Sequence, residues 1–434
     1  MKSLHIYFAI FLVALLSSCE LKRVIDPNRP SVDGFLENAS RVELNNLAKG
    51  TEAHMRVGYD VFLKSVAVIG REAYLFDADP RNVQDLLGAN GTRLDNNTFY
   101  LTSPYNNAYR TIKNANLLIE AADRSSLVNA SEKNGYKGFA RTVKAHCLLI
   151  VLNMLHENGI RVDVANPTAL GPFLTREAAL TAIRNLLNEA VVDLDAAGEA
   201  FPFSLSSGYN GFNTPATFKQ INRALAARVA VYQQRWADVP ALLAASFYTV
   251  GGDLQAGPRF VFSTAPNDFL NPMFYGEASD NIYVHPSFLT DATVGDTRVT
   301  NKTRLRPGGS RDVDGLTGTH IQNLYPTNTT PIPFIRNEEL ALIDAEVKIQ
   351  TGDLPGAVTI LNTIRSAAGL AAYSGTVDQA ALIDELLRQR RYSLWLEGHR
   401  MIDLRRYNRL NAANVPIDRP GDIVHQQFPI PLNE

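Results

Sequence analysis

The side chains on which catalysis or metal binding would rest fall into none of the common catalytic spacings in this 434-residue sequence. His146 and His156 lack the i, i+4 spacing of a zinc-protease helix. No Gly-rich loop ends in Lys-Ser or Lys-Thr, and no serine sits in a nucleophile elbow. Asp193 and Asp195 would share a helix and so point to different faces. A glycosidase needs two carboxyls flanking the scissile bond, and only folding could bring such a pair together here. Asp312-Val313-Asp314-Gly315 is a fragment of a calcium-loop pattern without the remaining ligands, so no metal or cofactor site is assigned.

Binding chemistry is better represented. Sugars present C–H faces that stack on aromatic rings and hydroxyls that need fixed Asn, Asp and Arg partners, whereas peptides need apolar pockets and backbone partners. Tyr74, Tyr100, Tyr275, Tyr283 and Tyr325 lie in loop-rich sequence beside Arg71, Asp95, Asn97 and Asn281. Arg71, Tyr74, Asn97, Tyr100, Tyr275, Tyr283 and Tyr325 are therefore the candidate ligand contacts. The alternative for each tyrosine is that it closes a small hydrophobic cluster beneath a long loop. Both tryptophans, Trp236 and Trp395, fall in helical sequence and read as core, which favours a small pocket over a broad polysaccharide platform.

These candidates must be carried by a chain that leaves the cytoplasm. Lys2, the apolar run Ile6–Leu16 and Leu16-Ser17-Ser18-Cys19 read as a lipoprotein signal peptide over 1–18, with Cys19 as the lipidated residue. The apolar run is too short for a membrane-spanning helix, which needs about 20 residues. Residues 19–33, with Pro27 and Pro30, read as a tether. The other cysteine, Cys147, sits in an apolar run and reads as a small buried hydrophobe, leaving no internal disulfide. With 42 basic and 44 acidic side chains and no basic stripe, the chain does not resemble a nucleic-acid binder.

The periodicity from residue 34 onward is mostly helical. One amphipathic run goes from about Tyr105 to Ile119, and another from Phe139 to Leu155, closed by Asn158-Gly159. Thr175 is placed to N-cap a third, whose Ala179, Ile183, Leu187, Ala190 and Leu194 share a face. Two segments read as tetratricopeptide-like or generic antiparallel helix pairs. The first spans Ala341 to Ile364 around Gly352, with Ala345 and Ala357 at the close crossing; the second spans Ala224 to Leu243, with Ala227 and Val239 in those places. Two loop-rich stretches, Gly70–Pro104 and Val250–Phe334, interrupt this scaffold.

The run from Arg388 to Arg406, Arg-Gln-Arg-Arg-Tyr-Ser-Leu-Trp-Leu-Glu-Gly-His-Arg-Met-Ile-Asp-Leu-Arg-Arg, resembles the signature of the SusD/RagB family of outer-membrane nutrient-uptake lipoproteins. Phe428-Pro429-Ile430-Pro431 is similar to that family's closing motif. Arg336–Glu346, Leu361–Arg365, Tyr109–Leu117 and Arg141–Leu152 extend the likeness. The resemblance implies a mainly α, SusD-like fold with tetratricopeptide-like helix pairs, scaffold over about 34–249 and 335–434 and a loop-rich insertion over about 250–334. It also implies non-catalytic capture of an oligosaccharide or peptide at the cell surface, and delivery to a TonB-dependent β-barrel of the outer membrane. A lipid-anchored interaction scaffold and a surface glycoside hydrolase are the alternatives. Many such surface lipoproteins carry an acidic cluster after the cysteine; here Cys19 is followed by Glu20-Leu21-Lys22-Arg23.

The signature itself reads as structural. Leu386, Leu394, Trp395, Met401 and Ile402 recur as a buried helical stripe, while Glu397–Arg400 and Arg400–Asp403 are spaced to pair on the helix surface, for about 0.2–0.5 kcal/mol each. Gly398 would let another backbone approach.

Overall fold

The caps legible in the sequence set most of the helix starts. A computed structural model describes residues 36–276 and 281–434; the signal segment 1–18, Cys19 and the tether 19–33 lie outside them. Ser40 and Glu43 form a capping box that opens α1 (Arg41–His54), followed by α2 (Tyr59–Ile69) and α3 (Phe99–Arg124). Asn129 and Glu132 cap α4 (Ala130–Leu155), and Gly159, at φ +71°, turns the chain after its last residues. Thr175 caps α5 (Arg176–Asp195), its hydroxyl accepting from the Ala178 amide, and Thr214 caps α6 (Pro215–Tyr232), which leads to the short α7 (Val239–Ala244). Beyond the loop-rich stretch, α8 (Pro286–Thr290) and α9 (Thr297–Lys302) precede α10 (Asn337–Thr351), α11 (Leu354–Ala367), α12 (Gln379–Ser393) and α13 (Arg400–Arg406).

Helix α4 packs between α3 and α5 and is the centre of the main core. It is long and apolar enough to cross a membrane, but its apolar surface is buried inside the fold. Burial pushes the Cys147 thiol up to about 12, which makes it inert at neutral pH. The expected helix pairs are present. Ala345 and Ala357 are fully buried where α10 crosses α11, and Gly352 takes the left-handed conformation (φ +87°) that ends α10. Ala227 and Val239 hold the corresponding places in α6 and α7.

The two loop-rich stretches meet each other. The strands β1 (Ala73–Phe76), β5 (Asn281–Val284), β6 (Thr303–Leu305) and β9 (His320–Gln322) form an antiparallel sheet in the order β1-β5-β9-β6, with Ala73 opposite Val284 and Phe76 opposite Asn281. Two-stranded ribbons join β2 (Ile160–Arg161) to β3 (Phe173–Leu174), β4 (Arg259–Phe260) to β10 (Ile332–Pro333), and β7 (Arg311–Val313) to β8 (Leu316–Gly318). Asp314-Gly315 makes the β7–β8 turn, both residues at positive φ, so the calcium-loop fragment is a hairpin corner.

The family signature departs from its sequence reading. It is not one helix: the chain breaks after Ser393 and restarts at Arg400, with Leu396 (φ +61°) and Gly398 (φ +81°) in the left-handed region. Gly398 serves this turn, where a Cβ would meet Phe62 and Leu63 side chains rather than a backbone. Arg400 pairs with neither expected partner. Glu397 instead accepts from the buried Arg336 (Nη2 to Oε1 2.8 Å), and Asp403 from Arg390 and Arg406 at 2.6 and 3.0 Å.

His146, on α4, is buried against Tyr59, Phe260 and Phe334, and neither ring nitrogen has a hydrogen-bond partner among the described residues. Burial, with Arg228 nearby, pulls its pKa down to about 3. Below the ordinary histidine pKa the unfolded chain takes up a proton that the folded chain refuses. Stability therefore falls as pH drops from about 6.5 towards 3, by about 1.4 kcal/mol per unit for this one group. His146→Phe removes that share. Urea unfolding at pH 7 and pH 5 should show the variant gaining about 2 kcal/mol on wild type between the two; parallel curves would show that His146 is not held neutral.

Candidate ligand-binding face

The residues singled out from sequence divide sharply by depth. Arg71, Tyr74, Tyr100, Tyr283 and Tyr325 are all 3% exposed or less, so in this structure they are core rather than ligand contacts. Tyr74 and Tyr283 stand on β1 and β5, which are buried along their whole length, and Tyr100 on the buried face of α3. Tyr283 packs on Phe76 (4.7 Å between ring centroids), and Asn281 is buried beside it. Tyr325 lies in the same core.

Arg71 and Tyr74 converge on a residue that sequence reading missed. Asp418 accepts from Arg71 Nε (2.9 Å), from the Tyr74 hydroxyl (2.7 Å) and from His285 Nε2 (2.7 Å), all out of solvent. Burial alone would raise its pKa, but the His285 hydrogen bond and the Arg71 charge outweigh this and hold the carboxyl below the usual range. Burial in turn lowers the His285 pKa, outweighing the Asp418 hydrogen bond and charge that raise it.

His285 Nδ1 also meets Ser287 Oγ at 2.8 Å, so Ser287, His285 and Asp418 line up as a nucleophilic triad would. The surroundings make it a structural relay. Nδ1 also accepts the Ser287 amide and thereby caps α8, Ser287 Oγ receives Arg391 Nη2 at 2.6 Å, and Asp418 is shared with Arg71 and Tyr74.

Two of the sequence-derived residues reach the surface. Asn97 is exposed, its amide donating to Asp95 Oδ1 (2.8 Å). Tyr275 is half-buried, with Lys64 Nζ 5.1 Å from its ring centre. Around Asn97 the structure supplies what the sequence did not show. The Arg81 guanidinium lies 5.0 Å over the ring of half-buried Phe99 and is 45% exposed. It is held by Asp79, which accepts Arg81 Nε at 2.8 Å and its backbone amide at 3.0 Å. That hydrogen bonding lowers the Asp79 pKa and raises that of Arg81.

The platform is pinned from below. The Tyr100 hydroxyl donates to Asp85 Oδ2 (2.9 Å) and accepts the Asp95 amide (2.8 Å), and burial pushes its pKa up to about 12. The Leu432 amide donates to Asn96 O (3.0 Å). Tyr100 is thus the support of the surface rather than part of it. An arginine–aromatic pair with exposed amide and carboxylate neighbours can stack against a sugar ring and hydrogen-bond its hydroxyls. The pairing of Arg81 with Phe99 had no local signal, because the two residues belong to different turns. Among the described residues, no group of three His, Cys, Asp or Glu side chains is placed to hold a metal ion.

The SusD family profile matches residues 297–432. No curated protein sequence matches the chain. Among solved structures, surface glycan-binding protein A from Bacteroides thetaiotaomicron, in complex with laminarihexaose, is similar with a TM-score of 0.67 at 14% identity, over 90% of this chain and 96% of that one. A laminarin-binding SusD-like protein matches with a TM-score of 0.67 at 17% identity, over 91% and 96%. A SusD superfamily protein from Bacteroides vulgatus matches with a TM-score of 0.64 at 16% identity, over 86% and 89%. Residues 297–432 thus carry the SusD family match, and the described chain as a whole has the SusD-like fold.

Proposed function

We propose that this protein captures a glycan at the outer surface of a bacterial outer membrane, without catalysis, and passes it to a TonB-dependent β-barrel. The observation that carries the ligand reading is the exposed Arg81–Phe99 pair with Asn97 beside it on a braced loop. Tyr275, half-buried on the other loop-rich stretch, is the second proposed contact. The SusD-like fold and the laminarin-related ligands of two similar structures support an oligosaccharide over a peptide. In this reading residues 1–18 are removed, Cys19 carries the lipid, and residues 19–33 tether the protein to the membrane.

The test is titration of purified protein with a panel of soluble oligosaccharides, laminarin fragments included. Arg81→Ala and Asn97→Ala should each weaken the binding glycan by about tenfold, or about 1.4 kcal/mol, with melting curves close to wild type because both residues are exposed. Unchanged affinity in both variants would move the site elsewhere. A mild-detergent pull-down from the native membrane examines the transport step separately: a β-barrel in comparable amount is expected, and its absence would leave a binding protein without that partner.

A further inference from the structure

Arg400, the signature arginine without its expected partners, lines a surface pocket of about 390 Å³. That volume falls within the range of about 300–1,000 Å³ usual for small-molecule sites. Arg388, Arg391 and Arg409 share the pocket with two carboxylates, Asp291 and Asp384. Four guanidiniums against two carboxylates leave the lining formally at +2. Both carboxylates stand at the rim with side chains 54% and 62% exposed, so water screens them. Leu387, Leu404 and Tyr392 make the buried floor.

The donors inside are under-used. Arg391 gives Nη1 to Asp291 Oδ2 (2.8 Å) and Nη2 to Ser287 Oγ, but its Nε is buried without an acceptor. Arg409 pairs with Asp384 at 2.5 Å. Arg400 forms no ion pair or hydrogen bond with any described residue, and its Nε is fully buried. Beneath it Glu72 is buried with both carboxyl oxygens unpartnered. Burial pushes Glu72 up to about 8, against the Arg400 and Arg391 charges that pull it down. A guanidinium N–H kept from water without an acceptor, as at Nε of Arg400 and Arg391, lacks a hydrogen bond that an incoming oxyanion can supply.

We propose that this pocket binds an oxyanion on a small ligand, a carboxylate or a sulfate, with the half-buried Arg400 and the buried Arg391 as the inner anchors and Arg388 and Arg409 closing over it at the rim. The proposal does not depend on the Arg81–Phe99 face, since the two share no residue. An acidic sugar would present such a carboxylate, and inorganic sulfate or a sulfate ester would present the same chemistry from another source.

The test uses the full-length protein in sulfate- and phosphate-free buffer at constant ionic strength, with sodium glucuronate, sodium sulfate and glucose as probes, followed by calorimetry and thermal unfolding. At least one of the anions should bind and raise the melting temperature, while glucose does neither. Binding by glucuronate alone identifies a carboxylate source, and binding by sulfate alone a sulfate source. Arg400→Gln should weaken the bound anion by about tenfold or more, the loss of charge-assisted hydrogen bonds. Arg409→Gln, at the rim, should weaken it by a smaller factor and keeps the test valid if the Arg400 variant fails to fold. No response to either anion at millimolar concentration, an equal response to glucose, or undiminished binding in the folded variants would overturn the proposal.

Discussion

Asp418→Ala is expected to destabilise the protein by about 3–5 kcal/mol, the range for breaking a buried ion pair by removing one partner. The carboxylate accepts from three side chains at once, each 3% exposed or less. Arg71 would keep hydrogen bonds to Ile69 O and Leu87 O but lose its counter-charge. Tyr74 and His285 would each be left with a buried donor. Asp418→Asn should cost less, because it retains one acceptor oxygen. The two variants also differ from wild type in acid. The folded Asp418 pKa is depressed, so its stabilisation is fully present above the ordinary aspartate value of about 3.8 and is lost as pH falls through the folded value. Neither variant should show that contribution. Urea titrations at pH 7, and at pH 4 against about pH 2.5, measure both effects, and a loss below about 1 kcal/mol at pH 7 in the alanine variant would show that the hub is not a stabilising knot.

Glu397→Ala provides the second large effect and a direct comparison of two readings of the signature. An exposed i, i+3 pair with Arg400 would contribute about 0.2–0.5 kcal/mol. The structure instead sets Glu397 against Arg336, a guanidinium only 2% exposed that also donates to the Ser393 carbonyl and pairs with Glu338. Removing Glu397 leaves half the counter-charge of a buried arginine missing, and about 3 kcal/mol should follow, at the low end of the buried-pair range because Glu338 remains. Glu397→Gln, which keeps an acceptor, should recover part of it. An alanine variant within 0.5 kcal/mol of wild type in urea, at unchanged slope, would return Glu397 to the helix surface.

These two cases mark where sequence reading worked and where it stopped. Ser or Thr before an apolar run, Gly352 after one, and paired alanines at a helix crossing act within a few residues, so the caps at Thr175 and the α10–α11 pair were legible. The sheet was not: its strands are three or four residues long, too short for alternation to show, and β1 finds its partner β5 across helices α3–α7. The break at Leu396 was hidden because the apolar spacing on either side fits one continuous helix. The candidate face fared worst. Five of its seven expected residues are core, since tyrosine in a loop-rich stretch is as suited to filling space under a loop as to lying on top of it. Arg81 and Phe99 lay in the right stretch, but which arginine covers which ring is a tertiary fact.

The route of residues 408–434 governs the order in which the molecule can be completed. Asp418 joins β1, the Phe428 amide donates to Met154 O at the end of α4, Leu432 meets Asn96, and Glu434 joins Arg161. Every one of these contacts reaches back to the first 161 residues. The early loops therefore cannot take their final form before residues 408–434 have been made, and Arg71 waits for the Asp418 carboxylate until then. Such separation in sequence slows folding, because distant segments must be brought together before their contacts can hold them. Under the export proposed above, that delay keeps the braced surface open until residues 408–434 have crossed the membrane.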